Sequence, residues 1–222
     1  MKLDEKGLLI VLSGPSGVGK GTVREALFKM EGHDLVYSVS MTTRSPREGE
    51  VNGREYYFVT RDEFIDNINN GKMLEYTEFC GNFYGTPLDE VNKLINEGKE
   101  VLLEIEVNGA MQVKEKMKDA IFIFIAPPSF DALKNRLIRR GTETNKSIDD
   151  RILKAEREIG LAINYDYIVV NDEVKNAADK ILAIIRAEHA KTKRTIEKYN
   201  ELLEIKKWVK TKTESDTHQL TN

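Results

Sequence analysis

Among the 222 residues there is one cysteine, Cys80, so an intramolecular disulfide is excluded and a reducing compartment, the cytoplasm, is the expected setting. Long hydrophobic runs are missing too: nothing approaches the roughly 18 apolar residues of a spanning helix. The opening Met1-Lys2-Leu3-Asp4-Glu5-Lys6 carries acids and does not read as a signal peptide. Charge of one sign is scarce, since 34 Lys and Arg stand against 37 Asp and Glu for a net charge of −3. That balance argues against a protein that coats nucleic acid or anionic membrane, and it leaves room for a local basic pocket. With 5 Pro and 15 Gly, and 40% of residues apolar, collagen-like and low-complexity chains are excluded. His33, His189 and His218 are scattered without metal-ligand spacing. No internal repeat is present. What remains is a globular chain of one large domain or two small ones.

Short apolar runs without polar alternation, Leu8–Leu12, Val101–Leu103, Ile121–Ile125 and Ile168–Val170, predict strands covered on both faces. Helical patterns separate them. Thr86-Pro87-Leu88-Asp89 predicts a cap followed by Pro at the first helical position, with Gly98 closing that helix. Ser129 opens another that runs to Gly141, and Ser147-Ile148-Asp149-Asp150 a third. Val174, Ala177, Ala178, Ile181, Leu182 and Ile185 share a helical face. Strand and helix in alternation predict an α/β fold with a parallel sheet core, helices on both faces, and a ligand at the carboxyl ends of the strands.

Residues 37–86 break this rhythm. Tyr37–Met41 alternates, Tyr56–Val59 is aromatic, and Met73–Phe79 and Phe83-Tyr84 flank a turn at Gly81-Asn82, which together predict a small, mostly antiparallel β insertion. The box Thr60-Arg61-Asp62-Glu63 predicts one helix inside it, stopped near Gly71. Beyond Arg186 the chain turns Lys- and Glu-rich, and its last dozen residues have little to bury.

Directly after the first strand comes Gly14-Pro15-Ser16-Gly17-Val18-Gly19-Lys20-Gly21-Thr22, followed by a helical pattern. The Gly-x4-Gly-Lys spacing is that of a P-loop: glycines let successive N–H groups turn toward phosphate oxygens, and the following helix aims its positive end at them. Lys20 adds a full charge for the outer phosphates. Gly21 stands where Ser or Thr would hold magnesium, and Thr22 follows, so which hydroxyl meets the metal is open. After the second run, Val101–Leu103, Glu104 and Glu106 are acids beside the P-loop, where Mg2+-directing carboxylates sit, directly or through water.

A nucleoside triphosphate is all that a P-loop implies. The segment Ser40-Met41-Thr42-Thr43-Arg44-Ser45-Pro46-Arg47, with Arg54-Glu55-Tyr56-Tyr57-Phe58 behind it, offers two arginines three apart for a fork-like clamp on a phosphate monoester. Together with Gly81-Asn82-Phe83-Tyr84-Gly85-Thr86 and the P-loop, it closely resembles the guanylate kinase family, whose members transfer phosphate from ATP to GMP. The resemblance runs from about Leu8 to Val174, with several separated motifs in the family's order.

The resemblance implies roles residue by residue. Ser40, Glu75, Thr86 and Glu106 would contact guanine; Arg44 and Arg47, with Tyr56 and Tyr84, would hold the GMP phosphate. Guanine presents adjacent N1–H and N2–H2 donors that one carboxylate accepts together, whereas adenine turns a bare acceptor toward it, so Glu75 is the expected base reader. Arg136, Arg140 and Arg151 match the family's lid and would neutralise the migrating phosphoryl group alongside Lys20. Asn171, ending the last strand, is expected near the ATP base. Gly14, Pro15, Ser16, Gly17, Val18, Gly19, Lys20, Gly21 and Thr22 would line the phosphates, with Thr22 and Glu104 toward Mg2+.

The implied organisation is a kinase domain over residues 5–186, with the GMP-holding insertion at about 37–90 and a helical lid at about 136–158, then an extension over 187–222. ATP and GMP (or dGMP) are the implied partners, with no nucleic acid or membrane, and family members form more than one assembly, homo-oligomers included. Two rivals stand beside this reading: a kinase-like binding module without turnover, against which the intact P-loop and lid arginines argue, and a P-loop kinase with another acceptor, against which Glu75 and Ser40 argue.

Overall fold

In the computed structural model, residues 6–139 and 145–196 are described, together with Tyr199 and Glu204. The chain divides into two compact units, Met1–Ile181 and Leu182–Asn222. In chain order the first elements are β1 (Leu9–Ser13), α1 (Lys20–Phe28), β2 (Leu35–Tyr37), β3 (Met41–Thr42), β4 (Tyr57–Phe58) and α2 (Arg61–Asn69). They are followed by β5 (Met73–Phe79), β6 (Asn82–Pro87), α3 (Leu88–Asn96), β7 (Glu100–Glu104), α4 (Val107–Lys116) and β8 (Ile121–Ala126). Last come α5 (Phe130–Arg139), α6 (Asn145–Gly160), β9 (Tyr167–Val170) and α7 (Val174–His189), which runs from the first unit into the second.

Five strands form an all-parallel sheet in the order β2-β7-β1-β8-β9. All five residues of β1 are buried. Leu9 and Val11 pack with Val91 of α3, Ala110 and Val113 of α4, and Phe122 of β8. Ile10 and Leu12 point to the opposite face and are equally inaccessible, so both faces are covered, as the unbroken apolar run implies. Each such side chain contributes about 1.5–3 kcal/mol by leaving water. Because β1 pairs with β7 on one side and β8 on the other, the connections diverge at its carboxyl end, and a crevice opens there. The glycine-rich loop occupies that position.

A second, mixed sheet runs β4-β3-β6-β5. Its hairpin β5–β6 turns at Cys80-Gly81, both in left-handed conformation (φ 50° and 75°), one residue earlier than the pattern suggested. Asn82 therefore pairs with Phe79 as the first residue of β6.

Three local readings are corrected. The alternation over Tyr37–Met41 is not one strand: Leu35–Tyr37 pairs with β7 in the core sheet, and only Met41 and Thr42 enter the second sheet. Alternation records which face is buried and not which sheet receives the backbone. Likewise β4 pairs parallel to β3, with Tyr57 N–H donating to the Ser40 carbonyl at 2.9 Å, because the long Thr43–Tyr56 connection carries the chain back to the starting end. Thr86 does not cap α3. It lies within β6, Pro87 occupies the cap position, and the threonine hydroxyl faces Glu75 instead. Elsewhere the punctuation holds. Thr60 Oγ1 accepts from Glu63 N–H at 3.2 Å to start α2, Ser129 Oγ accepts from Ala132 N–H at 3.1 Å to start α5, and Gly98 (φ 78°) ends α3. The helix expected from Ser147 begins at Asn145.

Candidate active site

The loop between β1 and α1 is shaped by glycines that nothing else can replace. Gly14 has φ 149°, and a Cβ there would lie 2.3 Å from the Ile125 carbonyl oxygen of β8. Gly19 stands at the N-terminus of α1 with φ 95°, a left-handed turn that starts the helix at Lys20. Lys20 folds back over the loop, its Nζ donating to the Gly14 carbonyl at 2.6 Å and to that of Pro15 at 3.3 Å. Burial pulls its ammonium below the ordinary lysine pKa, opposed by the negative field of Glu104, Glu158 and Glu106. An ammonium held against backbone carbonyls beside a helix N-terminus is poised for an anion.

Two helices, α5 and α6, are fastened around this loop. Arg136 of α5 donates to the carbonyls of Val18 (2.9 Å) and Asn171 (2.8 Å), and Asn171 Nδ2 donates to the same Val18 carbonyl at 2.8 Å. Arg151 of α6 donates to Ser16 Oγ at 2.5 Å. Three residues lying 118 to 153 positions further along the chain thus converge on Ser16–Val18. Arg140 lies outside the described residues.

On the far side of the loop, Glu104 ends β7, and its Oε2 pairs with Arg24 Nη1 of α1 at 3.1 Å. Burial raises its pKa, while Arg24 and Lys20 pull the other way. A Cβ on Gly21 would come 3.8 Å from Glu104 Oε1, so the first turn of α1 faces this carboxylate, and Thr22 is exposed on the same turn. One carboxylate and one hydroxyl suit Mg2+, which keeps most of its waters and takes substrate phosphates as ligands. A carboxylate whose charge is disfavoured by burial gains from a nearby cation. The residues present therefore fit the ion.

In the connection between β3 and β4, Arg44 forms a two-pronged pair with Glu50, 3.0 Å on each prong, and also donates to the Ser45 carbonyl. Its guanidinium lies 5.5 Å from the Tyr56 ring, and Tyr56 meets Tyr84 edge-on at 6.0 Å. Arg44, Tyr56 and Tyr84 are thus brought together. Arg47 is exposed and reaches the group through its backbone N–H, which donates to Glu50 at 2.7 Å. A cavity of about 410 Å3 opens here, lined by Arg24 and Tyr37 from the core and by Glu50 and Tyr56 from the Thr43–Tyr56 connection.

Glu75 and Thr86 face each other across β5 and β6, and Thr86 Oγ1 donates to Glu75 Oε1 at 2.7 Å. Glu75 is 4% exposed, and burial pushes its pKa up to about 7, against the pull of Thr86 and Lys116. Glu106 contributes repulsion, and it pairs with Lys154 of α6 at 3.2 Å. Ser40 stands immediately before β3, tied through its carbonyl to Tyr57.

The sequence model of the guanylate kinase family matches residues 6–188. The chain belongs to the guanylate kinase family. It is 55% identical over 203 residues to guanylate kinase of Bacillus subtilis (strain 168), covering 91% of this chain and 100% of that one. It is 57% identical over 205 residues to guanylate kinase of Onion yellows phytoplasma (strain OY-M), covering 92% and 97%. Its fold matches the crystal structure of guanylate kinase from Anaplasma phagocytophilum with a TM-score of 0.68 at 38% identity, covering 86% of this chain and 91% of that one.

Within this guanylate kinase fold, sequence reasoning missed Arg24, Glu50, Lys154 and Glu158. Arg24 follows Lys20 by one helical turn, a spacing that places both on one face of α1, and this was a usable signal. Glu50 carried a weaker one, an acid in the same loop as Arg44 and Arg47. Lys154 and Glu158, 3.6 Å apart on α6, carried none, because only the tertiary fold brings their helix over the carboxyl end of β7.

Proposed function

We propose that the chain transfers the γ-phosphoryl group of ATP to GMP, and to dGMP, giving ADP and GDP. The observation that carries this reading is Glu75: a carboxylate 4% exposed, with one oxygen on Thr86, and lying, like the P-loop lysine Lys20, within the field of Glu106. A buried acceptor pair matches the N1–H and N2–H2 edge of guanine and leaves adenine unmatched.

The N–H groups of Gly14, Ser16, Gly17, Val18, Gly19, Lys20 and Gly21, with the positive end of α1, would hold the ATP phosphates, and Pro15, which has no N–H, would line the loop between them. Lys20 would exchange the Gly14 and Pro15 carbonyls for the outer phosphates. Arg44 and Arg47, with Tyr56 and Tyr84, would aim the GMP phosphate in line, while Ser40, Glu75, Thr86 and Glu106 contact the base. Arg136, Arg140 and Arg151 would neutralise charge on the migrating group, and Asn171 would lie toward the ATP base. Thr22 and Glu104 would hold Mg2+, directly or through water, and the ion would supply neutralisation of phosphate charge. No strong base is required, because the acceptor oxygen is already anionic, so positioning and electrostatics carry the rate.

The kinase domain is proposed to span residues 5–186, with 187–222 as an extension. A cytoplasmic setting belongs to the same proposal, supported by the lone Cys80. The test is chromatographic detection of nucleoside diphosphates from ATP, Mg2+ and each of GMP, dGMP and AMP. GMP and dGMP are expected well ahead of AMP, and a failure to form GDP refutes the reading.

A further inference from the structure

Gly109 lies in the first turn of α4 and is fully packed. Its backbone is not left-handed, so the conformation does not call for glycine. Space does: a Cβ at this position would come 2.7 Å from Glu75 Oε2 and 3.4 Å from Glu75 Cδ. The other oxygen of that carboxylate is held by Thr86. Glycine is a poorer helix former than any residue but proline, so its presence here is explained by the room it leaves.

Three residues on, and therefore on the same face of α4, Gln112 grips the strand that carries Glu75. Its Oε1 accepts from Tyr76 N–H at 3.1 Å and its Nε2 donates to the Tyr76 carbonyl at 2.9 Å. The β5–β6 register shifts between Met73 and Glu75, and β5 is an edge strand, so the backbone after the irregularity would otherwise lack a partner on its outer side. The Gln112 amide acts as a one-residue surrogate strand.

We propose that Gly109 and Gln112 are positioning residues for guanine recognition, one leaving the space into which the Glu75 carboxylate fits and the other pinning the strand that delivers it. The inference rests on the reading of Glu75 as the group that meets the base. It assigns part of the base specificity to two residues of α4 that act through Glu75 and its strand.

Steady-state constants for GMP, IMP and ATP in the full chain test it, since IMP lacks the exocyclic amine that the second carboxylate oxygen would accept. In Gly109→Ala the displaced atom is the end of a flexible side chain, so the fold should persist while KM for GMP rises about tenfold or more, the preference for GMP over IMP narrows, and KM for ATP stays within about twofold. Adding Glu75→Asp, one methylene shorter, should recover part of the loss, a non-additivity that a general packing defect would not produce. Gln112→Ala, which opens no core cavity, should raise KM for GMP in the same selective way. Unchanged GMP constants in Gly109→Ala and Gln112→Ala, or strict additivity with Glu75→Asp, overturn the inference. Glu75→Gln separates the two failures. If it leaves GMP recognition intact, the reading of Glu75 falls and takes this one with it; if it impairs GMP while Gly109→Ala does not, this inference alone falls.

Discussion

Thr86 donates its hydroxyl to the Glu75 carboxylate at 2.7 Å across two neighbouring strands, in a place where both side chains are almost wholly out of water. One hydrogen bond offsets only part of the cost of burying an anion, so the Glu75 pKa settles at about 7. The folded pKa lies above the unfolded value of 4.5, so the folded state holds the extra proton between the two. The stability tied to that proton is fully present below about 4.5 and is lost as pH rises through about 7. Glu75→Gln should therefore melt higher than the parent at pH 8, by an amount on the order of 3 kcal/mol, and about level with it at pH 4.5. Thermal melts across this range check it; a gap that does not widen with pH contradicts the assignment.

Guanine recognition should follow the same titration in the opposite sense. A protonated carboxyl accepts one donor less, so kcat/KM for GMP should fall as pH drops through about 7, while KM for ATP is steadier. Glu75→Gln should flatten that profile and raise KM for GMP about 100-fold at pH 8. Equal losses for GMP and ATP would speak against a base-reading role.

Lys20→Ala removes an ammonium folded into the loop, where it donates to the Gly14 and Pro15 carbonyls. Turnover should drop by about 1,000-fold or more, with the circular dichroism spectrum unchanged, because transition-state charge loses its nearest cation. Near-normal turnover is incompatible with the P-loop assignment.

Arg44 offers both prongs of its guanidinium to Glu50, and this hydrogen bonding holds the Glu50 carboxyl below the usual range. The pair pre-orients the fork against Tyr56. Arg44→Lys keeps the charge but loses the planar fork, so KM for GMP should rise at least about tenfold with KM for ATP little altered. Glu50→Ala should move the same constant in the same direction by freeing the fork. An effect confined to ATP would place Arg44 on the donor side instead.

Asn171 is 2% exposed and spends its amide on the Val18 carbonyl, which Arg136 also engages. Asn171→Ala removes one of two donors from that oxygen, at a cost of about 1–3 kcal/mol in stability, which calorimetry would read as a lower Tm. Because Val18 belongs to the phosphate loop, KM for ATP should rise as well. A Tm loss without any change in ATP kinetics would make Asn171 a purely structural brace.

How far the sequence could be read depended on the range of the interactions. The parallel core was legible because β1 and β8 are apolar from end to end, a pattern produced only where both faces are covered. The turn residues Thr60, Ser129 and Gly98 were legible because capping is satisfied within four residues. The Tyr37–Met41 stretch was not, since its backbone is divided between two sheets by partners from 16 to 65 residues away. Within the site, Lys20, Arg44 and Glu75 were visible as motif members, whereas the Glu50 fork, the Arg136–Val18–Asn171 brace and the Lys154 pair with Glu106 were not.

Glu75 was marked as a base reader by the resemblance to the guanylate kinase family, whereas local chemistry and spacing alone pointed to a phosphate-cradling loop and to arginines suited to a second phosphate. Each of those depends on backbone conformation or residue type within a few positions. Only the folded chain decided that Glu75 loses its water, that Thr86 turns from helix cap to hydrogen-bond donor, and that a glycine on α4 makes room for the carboxylate. Burial and close approach are properties of surfaces meeting, and the residues that meet here are tens of positions apart in the chain.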